Sequence, residues 1–142
     1  MFCFLLNFFK VNSYQINMNL FDFGKILWSR PMFELWCKDN NLLPHRVNCP
    51  ECQEEMRLIT GKPVFICSLK TRHRGRKLVR VSQYKGTIFE GARASPELIM
   101  EIVQCFSLKL TYDQTVAQTS ASRTTISKWF NICRSVCLET MR

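Results

Sequence analysis

Asn48-Cys49-Pro50-Glu51-Cys52 sets two thiols on one tight turn at the head of a segment that is short and strongly basic. Such a segment buries too little apolar surface to offset chain entropy by itself, so it needs a cross-link. The sequence supplies the donors for one. Fourteen residues separate Cys52 from Cys67, and His73 follows after five more. The pattern C-x2-C-x14-C-x5-H offers four soft or borderline ligands, the set taken by a closed tetrahedral zinc. A closed site leaves no position for a catalytic water, so the expected role of Zn2+ is structural. Ion binding would add on the order of 10 kcal/mol of apparent folding free energy. His45, four residues before Cys49, competes with His73 as the fourth ligand, because His73 lies among bases where it could equally meet a phosphate.

Around these ligands, Pro63–Cys67 and Leu78–Ser82 read as short strands punctuated by Gly61, Gly75 and Gly86. The two halves of the ligand set would sit on adjacent hairpins, as in a zinc ribbon. The other cysteines, Cys3, Cys37, Cys105, Cys133 and Cys137, are expected to pack as small apolar residues in a reducing compartment.

Charge sharpens the reading. The chain of 142 residues has 20 Lys+Arg against 11 Asp+Glu, a net +9. Ten of the bases and one acid, Glu90, fall between Arg57 and Arg93, while the rest of the chain carries ten of each sign. The whole excess therefore belongs to this stretch, which holds two of the four candidate ligands, Cys67 and His73. A polyanion, most often nucleic acid, is the partner such a block suggests. Lys70, Arg72, Arg74, Arg76 and Lys77 are the candidate phosphate contacts. With 46% hydrophobic residues, collagen-like and disordered classes are excluded. Met1–Phe9 is apolar but has no basic start, no small-residue cleavage site after it, and about half the ~20 residues of a membrane span. No membrane association is expected.

Helical periodicity flanks the basic segment. Residues 25–44 predict a helix with a break or start near Pro31 and an end at Pro44. After residue 94 three helices are predicted. Ser95-Pro96-Glu97 opens the first, with Leu98, Ile99, Ile102, Val103 and Phe106 as its buried stripe, ending near Leu110. Tyr112–Thr119 forms a short second helix, Ser120–Ser122 the turn, and Ser122 caps the third. Ile126, Trp129, Phe130, Cys133 and Cys137 would face its core. The opposite face presents Thr124, Lys128, Asn131 and Ser135, with Arg123 and Arg134 on one flank, and suits a helix-turn-helix recognition helix in a major groove. The expected fold class is α+β. Residues 1–24 form an apolar leader, 25–44 a helix, 45–93 the basic zinc ribbon and 94–142 the helix-turn-helix.

Four blocks in this order carry a family resemblance: Trp36–Pro44, Cys49–Met56, Tyr84–Gly91 and Ile126–Cys137. The chain from about Phe33 to Cys137 resembles the N-terminal half of Merlin-type transposases, eukaryotic relatives of a bacterial insertion-sequence group. The resemblance implies recognition of terminal inverted repeats in the nucleus of a eukaryote, or in the cytoplasm otherwise. It assigns strand cleavage to a following RNase H-like domain with metal-binding carboxylates, which the chain ending at Arg142 is expected to lack. No catalytic constellation is found among the acids, and no enzyme activity is expected. The family also implies a Cys or His ligand about where Lys77 stands, so either His73 substitutes from a shifted loop or the site is damaged. Two other readings remain: part of an active transposase with its catalytic domain encoded downstream, and a protein-interaction module with a homo-oligomer surface.

Overall fold

The computed structural model describes residues 20–141. It is an α+β arrangement of five helices and one small antiparallel sheet. Cys3 and the apolar Met1–Phe9 stretch lie outside the described residues.

Two helices begin the described chain, α1 (Leu20–Trp28) and α2 (Arg30–Asp39). Ser29 between them is extended, with φ −112° and ψ 112°. Pro31 explains the break, since it has no N–H to continue the α1 ladder but suits the first turn of a new helix. Helix α1 starts at Leu20, ahead of the expected boundary at residue 25, because Phe23 is buried and meets Trp36 edge-on at 5.4 Å. Helix α2 ends before Asn41, which takes a left-handed φ of 56°, and the amides of Leu42 and Leu43 turn back to the Cys37 carbonyl. Chain reversal thus comes before Pro44.

The sheet has the order β1 (Arg57–Leu58), β2 (Val64–Ile66), β3 (Arg80–Ser82), all antiparallel. Leu58 and Val81 both oppose Phe65, so one apolar row crosses the three strands. That row packs with Met56, Cys49 and Cys67 into a core of its own. It is small, which is the physical reason that a cross-link matters here.

The larger core belongs to the helices. Helix α3 (Pro96–Ser107) begins with Ser95 Oγ accepting the Leu98 amide at 3.2 Å. It stops at Ser107, three residues before the expected end, where Lys109 takes a φ of 60° and the Leu110 amide closes on the Cys105 carbonyl. Helix α4 (Tyr112–Thr119) has the predicted bounds and opens on a reciprocal cap between Thr111 and Gln114. Helix α5 (Arg123–Thr140) follows a left-handed Ser120 and is capped by Ser122, whose Oγ accepts the Thr125 amide at 3.2 Å. Ile126, Trp129, Phe130 and Cys133 are buried as expected. Val136 completes the stripe, and Cys137 is half-buried at its edge.

The Tyr84–Gly91 block is made of turns, not strand. Thr87 Oγ1 donates to the Tyr84 carbonyl and accepts the Phe89 amide, while Glu90 accepts the Gly86 amide. This knot drives Ile88 and Phe89 into the helical core. The C-terminal end of the basic segment therefore packs with the helices.

Candidate metal centre and basic surface

The Cys-x2-Cys turn is closed by its own backbone. The Cys49 amide donates to the Glu54 carbonyl at 2.8 Å, the Gln53 amide returns to the Cys49 carbonyl at 2.9 Å, and Met56 pairs with Val47. Gln53 makes the reversal with a left-handed φ of 61°. Cys67 leaves the end of β2 with its amide on the Val79 carbonyl. His73 sits between two short 3-10 turns, Lys70–Arg72 and Arg74–Arg76, with Gly75 left-handed at φ 72°.

These loops bring Cys49, Cys52, Cys67 and His73 together, with all four ligand atoms within 4.8 Å of one another. Cys49 Sγ is 3.4 Å from His73 Nε2, and Cys52 Sγ is 3.6 Å from Cys67 Sγ. A four-coordinate ion bound at about 2.0–2.3 Å has ligand edges of about 3.3–3.8 Å, so the donor set fits a metal ion. His45 is exposed and lies outside this group. The Cys3His set is the one the sequence predicts.

His73 Nδ1 lies 2.8 Å from the Lys77 carbonyl oxygen. A carbonyl can only accept, so Nδ1 carries the proton and the Nε2 lone pair faces the thiols. Burial opposes ionisation of Cys49, but the Cys52 and Glu51 amides, together with the neighbouring thiols, outweigh it and hold the thiol at about 7. Cys52 moves the other way: the Glu54 amide pulls it down, but burial and the two adjacent thiols raise it further. One thiol is thus prepared to ionise first, and two are not forced to do so together.

Two acids of the turn grip the loop that brings His73. Glu54 pairs with Arg72 at 2.6 Å, and Glu51 Oε2 accepts the Arg74 amide at 3.0 Å. Sequence reasoning missed these roles; the signal available was two acids inside and just after the Cys-x2-Cys turn, opposite a loop of bases. Lys70, Arg72, Arg74, Arg76 and Lys77 are all exposed on this loop.

On α5, Arg123, Thr124, Lys128 and Asn131 are exposed as well, the last three at i, i+4, i+7 spacing along one face. Arg123 is paired with Asp113 of α4. Arg134 donates to Asn131 Oδ1 at 2.8 Å and to the Tyr112 hydroxyl at 3.2 Å.

Cys37, Cys105 and Cys133 are buried, Cys37 and Cys133 within the helical core. Among the described residues, no helix is long and apolar enough to cross a membrane. No protein family, curated protein or solved structure matches the chain.

Proposed function

We propose that the chain is the DNA-binding part of a Merlin-type transposase, a structural zinc ribbon followed by a helix-turn-helix that recognises terminal inverted repeats. One observation carries the reading most: five exposed bases, Lys70 to Lys77, stand on a loop whose centre is the buried ligand His73. The metal orders the loop, and the loop presents the charge. Three sulfur donors and one imidazole favour zinc over the hard, oxygen-seeking cations.

The second support is α5. Its capped N-terminus, the left-handed Ser120 ahead of it, and the polar row Thr124, Lys128, Asn131 suit insertion into a major groove. Phosphate contacts from the loop would supply affinity, and this row would read bases. Glu51 and Glu54 hold the loop that presents these bases. Nuclear localisation in a eukaryote goes with this reading.

Binding to duplex DNA as a function of salt tests it. A log–log slope of several units is expected, falling by about 1 for each of Arg74 and Arg76 replaced by Gln. Salt-insensitive behaviour and no retention on DNA would overturn the reading in favour of a protein-docking module.

A further inference from the structure

The four side chains of the candidate centre are unequal in their access to solvent. Cys49 is 0% exposed, Cys67 1% and His73 4%, whereas Cys52 is half-buried. A small reagent entering from solvent therefore meets Cys52 first. The sulfurs also differ in what they face. Cys49 Sγ faces His73 Nε2 at 3.4 Å, and Cys52 Sγ faces Cys67 Sγ at 3.6 Å. The accessible sulfur thus has a sheltered one beside it, about 1.5 Å short of further approach to the length of an S–S bond. An accessible thiolate next to a resolving cysteine is the arrangement of redox-sensing thiols.

The position of such a bond decides what it would hold. Cys49, Met56, Phe65 and Cys67 form the sheet core, so the Cys-x2-Cys turn and the end of β2 are the segments that this core joins. A Cys52–Cys67 disulfide ties those same two segments. His73 is left out of it. The loop around His73 then keeps the Glu54–Arg72 pair and the bond from the Arg74 amide to Glu51, exposed contacts of little stabilising value.

We propose that Cys52 and Cys67 are a peroxide-sensitive pair whose disulfide takes over the cross-link of the sheet and frees the basic loop, lowering affinity for DNA. The Cys52 thiolate attacks hydrogen peroxide, the O–O bond breaks, and with one proton from solvent a sulfenic acid and water form. The Cys67 thiolate then attacks the Cys52 sulfur, and the departing hydroxide takes a second proton. Two thiolates, one peroxide and two protons give one disulfide and two waters, with sulfur oxidised and peroxide oxygen reduced. Cys49 and His73 remain, too few donors for a closed tetrahedral site. In a reducing compartment the bond would be transient, as befits a switch. The inference rests on the centre holding zinc and, for the loss of affinity, on the loop binding DNA.

The zinc-loaded full chain, treated with hydrogen peroxide and afterwards with dithiothreitol and zinc, tests this without any substitution. Oxidation is expected to release the zinc and to form a Cys52–Cys67 disulfide, located by fragmentation of linked proteolytic peptides. The amides of Cys67 and Met56, bonded to Val79 and Val47, should keep their hydrogen-exchange protection, which chelation of the reduced protein removes. The Arg76 amide, bonded to the His73 carbonyl, should lose its protection. DNA affinity should fall at least about tenfold and return on reduction. A bond between Cys49 and Cys52 or between Cys133 and Cys137 in place of Cys52–Cys67 overturns the inference. So does loss of the Cys67 and Met56 protection on oxidation, or DNA affinity that oxidation leaves unchanged. If the reduced protein holds zinc but binds no DNA, the proposed function fails, while the disulfide and the exchange pattern still decide the cross-link. If it holds no zinc, both readings fail together.

Discussion

His73 donates its Nδ1 proton to the Lys77 carbonyl at 2.8 Å, and its Nε2 consequently faces Cys49 Sγ at 3.4 Å. A hydrogen bond on the ring nitrogen away from the thiols fixes both tautomer and ring plane before a metal arrives. Protein purified without added metal should hold one zinc per chain. Cys49→Ser should abolish retention, His73→Ala should weaken affinity at least about tenfold, and His45→Ala should change nothing. Chelator competition measures all three. Full retention by His73→Ala would remove His73 from the ligand set.

Metal removal should unfold the sheet region and spare the helices. The sheet core holds four buried residues, Cys49, Met56, Phe65 and Cys67, two of them ligands, whereas the helical core is larger and separate. Chelation is therefore expected to leave the helical circular dichroism largely intact. The amides of Cys67 and Met56 should lose their hydrogen-exchange protection, while those of α3 and α5 keep theirs. Simultaneous loss of both would mean that the cores fold as one unit.

Helix α5 offers a stability contrast. Ile126→Ala should cost about 2–5 kcal/mol, because Ile126 is fully buried. Ser122→Ala should cost about 1 kcal/mol through the lost cap on Thr125. Thr124→Ala, on the exposed face, should stay within about 0.5 kcal/mol. Denaturant melts of the three variants test the order. A Thr124→Ala loss as large as that of Ile126→Ala would place the wrong face in the core.

Alkaline pH should weaken the helical core. Burial pushes the Cys133 thiol up from its ordinary 9.0 to about 12, and burial raises Cys37 as well. In the unfolded chain these thiols ionise near 9 while the folded ones stay neutral. Their contribution is complete below pH 9 and is lost as pH rises toward 12, at up to about 1.4 kcal/mol per pH unit per thiol. Urea melts between pH 8 and 11 should show a smaller decline for Cys133→Ala than for wild type. Equal declines would mean that Cys133 ionises freely in the folded protein.

Local chemistry made much of this protein legible in advance. Ligand spacing identifies Cys49, Cys52 and Cys67, with His73 or His45 as the fourth donor, since a chelating set is written in residue types. Ser95, Thr111 and Ser122 mark helix starts because a cap is made within three residues. The 3.6-residue period finds Ile126, Trp129, Phe130 and Cys133. It misassigns Val136 and Cys137, because which neighbour at the stripe's edge is covered depends on the helices packed against it.

What only the tertiary structure decided lies between distant segments. No local pattern says that His45 is excluded while His73 enters the site; that follows from Glu51 and Glu54 gripping Arg74 and Arg72 across the loop. Nor does any period tell that Ile88 and Phe89, which follow the strands in sequence, pack with the helices. The orientation of Asn131 comes from Arg134 resting on Tyr112 of another helix. The sequence by itself determined which donors and which apolar stripes exist, because spacing along one element is a local geometric property. Which of them meet is a question of chain closure and shared burial, and that is settled only when the elements pack.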